Sequence, residues 1–239
     1  MRTRAIIVTA AIAILASAAS VCAEPAHAAT TTMGSPDALA EVRAAASRLE
    51  EKTGSKWLVI LDDIRAAAKT VRGSYPTGAD VRDEQSADVV SRAFLDEHQD
   101  LLKARTDQLT LSWFEFNTVL NRARVDYQEE YRGIRVEGGM VKVFIREDGT
   151  LYSVVNDFYP GIDVSVAPAL SGEAALQIVR GLDPSEAPGD EEVELVILPI
   201  RDESSISYVL CWKVKLDRHT HFIDAQNGVE VERWSNYRR

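Results

Sequence analysis

Two histidines, His219 and His221, come closest to a reactive set in this sequence. They lie in a strand-like run, and residues two apart in a strand share one face. Two imidazoles on one face can contribute to a metal site. The only nearby third ligand is Asp224, whose position has the opposite parity from His219 in a regular strand. We therefore interpret the pair as a solvated strand face and predict no metal site.

Cys211 is the one thiol expected to remain after export, because the other cysteine, Cys22, precedes both candidate cleavage sites. A single thiol cannot form an internal disulfide. Cys211 lies between Leu210 and Trp212 in an apolar run, which predicts a buried, inert thiol rather than a nucleophile.

The familiar signatures of catalysis are missing from the sequence. A zinc-protease motif, His-Glu-x-x-His, places two ligands and a general base on one helix face, and the histidines here lack that spacing. No Gly-x-Ser-x-Gly element is present. The glycines at 133, 138 and 139 lack the Lys-Ser/Thr of a phosphate loop and predict a turn or bulge instead. We predict that the protein is not an enzyme, with no catalytic residues and no cofactor.

The remaining notable carboxylates have simpler interpretations. Asp224 precedes an Asn-Gly turn and is expected to accept hydrogen bonds from the turn's backbone. The pairs at 129–130 and 191–192 are expected to be solvated charges.

Composition narrows the class of protein further. The 239 residues include 27 Lys plus Arg and 37 Asp plus Glu, which gives a net charge of −10. An acidic chain is a poor general nucleic-acid binder, because polyanions are bound through basic patches. A hydrophobic share of 46% excludes intrinsic disorder, and two cysteines exclude a disulfide scaffold.

The first 28 residues have the pattern of an export signal. Arg2 and Arg4 precede an uncharged apolar run over 5–19, and small residues allow cleavage after Ala23 or Ala28. The run is shorter than the ~20 residues of a membrane-spanning helix. We predict a secreted protein without stable membrane insertion after cleavage.

The helices and strands that position the candidate residues are predicted in three successive parts of the exported chain, of which the first is an N-terminal extension. Residues 29–80 are predicted to be an N-terminal extension with helices over 37–52 and 62–71 and a short strand over 57–61. A Gly/Pro-rich breaker at 73–78 predicts a boundary.

The rest of the chain repeats one layout, a helix followed by antiparallel strands. Residues 81–160 are predicted to contain a helix over 83–104, strands over 109–116, 123–131, 140–145 and 151–155, and a turn-rich crossing at 133–139. Residues 168–235 are predicted to contain a helix capped by Ser171 and four strands between 193 and 234, leaving a tail at 236–239. The predicted fold class is α+β, with two modules, each a helix packed on an antiparallel β-sheet.

These segments resemble two known modules. Residues from about 85 to 155 resemble the fungalysin/thermolysin propeptide (FTP) domain, through the helix at 93–98, the run 125–136 and the segments 138–143 and 147–149. Residues from about 170 to 231 resemble a PepSY domain, through 171–175, 195–199, 208–214 and 222–228. One position departs from the FTP pattern, because Gln128 is followed by Glu129 where the family usually has a second Gln.

Together the modules resemble the pro-region of a secreted thermolysin-type metalloprotease without its catalytic domain. The resemblance implies a partner, a thermolysin-like zinc metalloprotease, which the pro-region inhibits, helps to fold, or both. We expect an acidic sheet surface to cover the partner's cleft. Candidate partner-binding residues are Tyr131 and Gly133 of the Tyr-x-Gly element, and Trp234, Tyr237 and Arg238 of the tail, since aromatic and Arg side chains are common interface anchors.

Other interpretations remain open at the level of sequence. The tail can instead be a frayed terminus. The whole protein can be an extracellular or envelope module that binds a protein or peptide by strand addition, or a truncated remnant of a metalloprotease zymogen.

Overall fold

The computed structural model describes residues 29–32, 34–184 and 191–237. The predicted signal peptide over 1–28 and the candidate residue Arg238 lie outside the described residues.

Four α-helices are present in the described part of the chain. They are α1 (Pro36–Thr53), α2 (Glu84–Glu97), α3 (Gln99–Leu102) and α4 (Gly172–Leu182). Side-chain caps begin the three longer helices, because the oxygens of Ser35, Asp83 and Ser171 accept hydrogen bonds from backbone N–H groups in the first turn. Gly54 ends α1 with a left-handed φ of 62°.

The described residues form eleven strands in one sheet. They are β1 (Ala29–Thr32), β2 (Leu58–Asp62), β3 (Ala67–Pro76), β4 (Leu109–Asn117), β5 (Arg122–Tyr131), β6 (Ile134–Arg146), β7 (Thr150–Asn156), β8 (Glu192–Arg201), β9 (Ser205–Lys215), β10 (His219–Asp224) and β11 (Glu230–Ser235).

The long strand β6 connects two halves of the sheet. One edge of β6 pairs antiparallel with β5, which pairs with β4. The other edge pairs with β7 near its end and with β8 near its start. The branch through β7 continues to β3 and β2, and the branch through β8 continues to β9, β10 and β11.

Each half carries helices on one face, which confirms the α+β prediction. In the first half, α1 and α2 cover β3 and β5–β7, and Phe94 and Tyr127 are among the fully buried side chains. In the second half, Ala175 and Val179 of α4 pack against Val214 and Ile223. Burial of one large apolar side chain contributes roughly 1.5–3 kcal/mol, so these contacts hold each helix on its sheet.

A short seam joins the halves. The β6–β8 pairing is parallel and covers Arg135 with Val196 and Val136 with Ile197. A second apolar cluster, which includes Ile64, Val136 and Ile197, lies beside this seam.

The helix predicted over 62–71 is wrong. The Asp62 carboxylate accepts hydrogen bonds from the backbone N–H groups of Ile64 and Arg65, at 3.1 and 3.2 Å, and so forms a turn. The chain then reverses into β3, which runs through the predicted breaker as far as Pro76 and pairs with β7. The boundary near residue 80 stays a prediction.

The single helix predicted over 83–104 is divided at His98. The backbone N–H of His98 closes α2 on Phe94, and its carbonyl begins α3. Its imidazole is buried against the Phe94 ring, with centroids 4.5 Å apart. Lys103 then ends α3 with a φ of 56°.

The crossing predicted over 133–139 is instead the first part of β6. Arg132 and Gly133 both have positive φ, 51° and 79°, which is the geometry of a two-residue hairpin turn. Gly138 also has a positive φ, 74°, where the pairing of β5 with β6 shifts. The predicted turn-or-bulge role of these two glycines is therefore confirmed.

Candidate functional site

The Tyr-x-Gly element forms part of the fold. Tyr131 is 9% exposed and lies in the cluster beside the seam. Arg132 covers its ring, with the guanidinium carbon 5.0 Å from the centroid. Gly133 supplies the positive φ of the hairpin turn. The geometry gives both predicted partner-binding residues a structural role.

The tail is ordered by the sheet as far as Asn236. The Asn236 N–H donates to the Arg218 carbonyl at 2.7 Å, and its side chain donates to the Leu216 carbonyl at 2.7 Å. Trp234 packs on Phe222 with centroids 4.4 Å apart and keeps 39% of its surface exposed, while Tyr237 is 62% exposed. Both aromatics are therefore accessible, and hydrogen bonds to neighbouring backbone hold the chain as far as Asn236.

A second accessible surface lies on the side of β3, β5, β6 and β7 that faces away from the helices. We call it the Arg–Tyr face, and it consists of Arg72, Arg122, Phe144, Arg146 and Tyr152. Arg122 donates to the Tyr152 hydroxyl at 3.2 Å. The guanidiniums of Arg122 and Arg146 lie 5.9 and 5.3 Å from the Tyr152 ring centroid. These residues line a groove of about 590 Å³.

The cations of this face make no close ion pair within the described part of the chain, although the charge of Arg146 contributes to lowering the pKa of the nearby Asp148. Among the described residues, Arg72, Arg122 and Arg146 form no salt bridge. Near the β6–β8 pairing, by contrast, Arg135 binds Glu137 at 2.8 Å and Glu194 at 2.7 Å. The expectation of an acidic sheet surface is therefore wrong for the Arg–Tyr face.

Sequence reasoning missed the Arg–Tyr face because its members come from four strands. Arg122 is opposite Arg146 in the β5–β6 register, and Arg72 is opposite Ser153 in the β3–β7 register. The alternation of Arg122 with Ala123 places Arg122 on the solvent side, but only the register shows which other cations lie beside it.

Asp62 is the centre of a buried ionic network. Arg65 donates to its carboxylate at 3.0 Å and Arg201 at 2.7 Å. Arg65 also donates to the carbonyls of Phe158 and Asn156. Burial alone would raise the pKa of Asp62, but the donors from Arg201 and Arg65 outweigh burial and lower the pKa to about 2. The network connects β2, β7 and the end of β8.

Glu129 is buried, which contradicts the predicted solvated charge. The residue is 1% exposed, and its Oε2 accepts the Tyr159 N–H at 2.8 Å. Its Oε1 has no partner among the described residues. Burial raises the pKa of Glu129 to about 8 although the Tyr159 hydrogen bond and the Arg65 charge oppose this shift. The position that departs from the FTP pattern therefore holds a neutral acid at pH 7.

His219 and His221 do not form a solvated face, because His221 is fully buried. A carboxylate from the end of α4 approaches them, and Asp183 Oδ2 lies 3.5 Å from His219 Nδ1. One ligand atom from each of Asp183, His219 and His221 lies within 4.8 Å of the other two. Sequence reasoning missed Asp183 because it is distant in the chain and on another element.

Two other predictions are confirmed. Cys211 is buried, and burial, assisted by the charges of Asp224 and Glu232, raises its pKa to about 12. Asp224 Oδ1 accepts the backbone N–H of Gln226 at 2.7 Å in the predicted turn.

Comparison with known protein families gives a match in the first half of the sheet. Residues 123–158 match the family described as Fungalysin/Thermolysin Propeptide Motif. These residues form most of β5, all of β6 and β7, and the chain to Phe158, so the match supports a thermolysin-type propeptide module in this part of the chain. No curated protein sequence matches the chain.

The solved structure of the Bacillus megaterium YpeB C-terminal domain is similar at 16% identity, covering 87% of this chain and 100% of that chain. The TM-score of this similarity is 0.37. In the described ranges, no helix has the length and apolar character needed to span a membrane.

Proposed function

We propose that this is an exported, non-catalytic, propeptide-like protein that binds a thermolysin-type zinc metalloprotease as an inhibitor, a folding chaperone, or both. The observation that carries the proposal is the propeptide motif at 123–158. The motif coincides with the strands β5–β7, which form a complete antiparallel unit covered by α2. In this proposal the PepSY-like segment, with α4 on β8–β10, supports the module from the other side of the seam.

The Arg–Tyr face is the contact surface in this proposal. It lies within the matched region, apart from Arg72 and Arg122, and it combines two aromatic rings with guanidiniums that form no salt bridge among the described residues. Arg and Tyr are enriched among residues that dominate interface energies. Because the rest of the protein is acidic, this face would orient the protein toward an acidic surface of the protease and speed association.

The direct test mixes the exported chain with thermolysin-type enzymes and measures peptide cleavage. Inhibition at micromolar concentration or below, with the inhibitor remaining intact, is the expected result. Refolding of the denatured protease domain in the presence of the chain tests the chaperone role. Absence of binding, inhibition and assisted refolding for every such enzyme would contradict the proposal.

A pair of charge reversals tests the contact surface. Arg146→Glu is expected to weaken inhibition at least tenfold, mainly by slower association that is itself sensitive to salt. Arg43→Glu is the matched control, because Arg43 is an exposed residue of α1 on the opposite side of the sheet. Equal potency of the two variants would remove the Arg–Tyr face from the proposal while leaving the inhibition itself to stand.

One observation favours a second candidate, a module that captures extended peptides. Strand β11 pairs with β10 at the end of its branch of the sheet, and Trp234 on it is partly exposed. An exposed edge can accept an added strand. Binding of peptides that Trp234→Ala abolishes, without any effect on a protease, would support this candidate instead.

A further inference from the structure

We propose that Asp183, His219 and His221 form a binding site for a divalent transition-metal ion of the Zn²⁺ class. The proposal is independent of the protease-binding function. The three side chains come from two elements of the second half, since Asp183 caps the end of α4 and both histidines lie on β10.

The geometry brings one donor atom from each residue to a common position. The three atoms lie within 4.8 Å of one another, and Asp183 Oδ2 lies 3.5 Å from His219 Nδ1. Ligand atoms around a tetrahedral Zn²⁺, bound at about 2.0–2.1 Å, are separated by roughly 3.3 Å. The distance between Asp183 and His219 is therefore close to the ligand–ligand distance of a Zn²⁺ site. Small side-chain rotations can shorten the distances to His221.

The His221 imidazole provides an independent observation. It is fully buried, and its Nε2 has no hydrogen-bond partner among the described residues. A buried polar atom without a partner costs about 1–3 kcal/mol of desolvation. We take Nε2 as the nitrogen that serves this position, because Nδ1 already contacts Glu230, and a metal ion shared with Asp183 and His219 would then give Nε2 the ligand bond that it lacks.

Glu230 prepares the same ring for metal binding. Its Oε1 lies 2.7 Å from His221 Nδ1. When a carboxylate accepts the proton of one ring nitrogen, the tautomer is fixed and the other nitrogen is left as a lone-pair donor. The carboxylate–histidine arrangement common behind metal ligands is therefore present, with Nε2 as the free end.

The donor set and the charge select the class of ion. Two imidazoles and one carboxylate suit Zn²⁺ and its neighbours, whereas Mg²⁺ and Ca²⁺ prefer sets made of oxygen alone. Two neutral imidazoles with the carboxylates of Asp183 and Glu230 carry two negative charges, which a divalent cation neutralises. Three protein ligands also leave a fourth position for water or for a partner's side chain.

The test uses the exported, tag-free chain after treatment with a chelator. Titration calorimetry with Zn²⁺ is expected to show one tight equivalent, and Co²⁺ is expected to give the visible absorption of a tetrahedral site. His219→Ala and Asp183→Asn should each weaken Zn²⁺ binding at least a hundredfold. Glu230→Gln should weaken it by about 10–100-fold, as is usual for residues that orient a ligand.

Asp217→Asn is the matched control, since Asp217 is an exposed carboxylate close to His219 in the chain but is not one of the three proposed ligands. His219 and Asp183 are better targets than the fully buried His221, whose replacement can disturb folding. Circular dichroism of each metal-free variant establishes that it is folded. Absence of tight Zn²⁺ binding, or binding that the folded His219 and Asp183 variants retain, would overturn the proposal.

Discussion

Asp62 and His221 are both buried polar side chains, but their surroundings differ. Both oxygens of Asp62 accept hydrogen bonds from guanidiniums, and the arginines that donate them reach other strands. His221 has one ring nitrogen bound to Glu230, and the other has no partner within the described part of the chain. The first cluster is complete as it stands and its role is structural. The second lacks one bond, which is why it points to a ligand.

Glu129 lies between these two cases. One carboxyl oxygen accepts a hydrogen bond and the other has no partner among the described residues. Burial raises the pKa of Glu129 to about 8, and among the described residues no cation forms a salt bridge with it, whereas the donors from Arg201 and Arg65 lower the pKa of Asp62 to about 2. These buried groups therefore differ in how many of their hydrogen-bonding atoms have a partner, and this difference matters more than the residue type. The following experiments test it.

The largest effect is expected from Asp62→Ala. Removing the carboxylate leaves the buried Arg65 guanidinium with only the more distant Asp157 carboxylate, at 3.8 Å, and breaking a buried pair costs about 3–5 kcal/mol. Urea denaturation measures the change in unfolding free energy. The exposed neighbour Asp63 provides the control, because Asp63→Ala should change stability by less than about 0.5 kcal/mol. Similar losses for the two variants would contradict a structural role for the network.

The next effect concerns Glu129 and pH. Its pKa is about 8 in the folded protein against a value of 4.5 for a free side chain, so the folded state holds the extra proton between these values. Stability should therefore fall as pH rises from about 5 to about 8, by at most about 1.4 kcal/mol per pH unit. Glu129→Gln should abolish this slope, as measured by denaturation at several pH values. A wild-type slope that survives in the variant would show that other groups cause it.

Asp62 gives the opposite pH dependence, which the same measurements record at lower pH. Its folded pKa is about 2, below its usual value of 3.8. Its contribution is thus complete above pH 4 and should be lost as the pH falls toward 2.

A smaller effect is expected when Zn²⁺ completes the His221 cluster. At a free concentration 100 times its dissociation constant, an ion that binds only the folded state adds about 2.7 kcal/mol of stability. Thermal unfolding with and without Zn²⁺ measures it. Asp62→Ala should retain this gain, because its network lies elsewhere, whereas His219→Ala should lose it.

The smallest effect is expected from Ser171→Ala. Ser171 Oγ accepts the Ala174 N–H at 3.2 Å at the start of α4, and loss of such a cap costs about 1 kcal/mol. Zn²⁺ affinity should be unchanged, because Asp183 lies at the other end of the helix. A parallel fall in affinity would show that the whole helix, rather than its last residue, sets the site.

The strands and the role of Cys211 could be predicted from sequence because they depend on local patterns. Alternation of apolar and polar residues predicts strands β5 and β9, and the Asp148–Gly149 pair predicts the hairpin between β6 and β7. The wrong helix predictions fall where contacts between residues distant in the chain determine the local backbone conformation. The turn made by Asp62 replaced a predicted helix, and His98 interrupted another because its ring packs on Phe94.

The sites were harder to predict for the same reason. Glu129 resembles any charge in a polar run until the fold encloses it. Asp183 and His221 meet only after α4 docks on the sheet, and Arg72 reaches the Arg–Tyr face only through the β3–β7 register. None of these relations has a fixed spacing in the chain.

The short β6–β8 seam has a consequence for the order in which the protein folds. Most strand pairs here are hairpins between neighbours in the chain, whereas the seam pairs Val136 with Ile197 across a long intervening segment. Closing so large a loop costs more entropy than forming a hairpin. We expect the two halves to form first and the seam last, so that Ile197→Val would speed unfolding and leave the folding rate nearly unchanged.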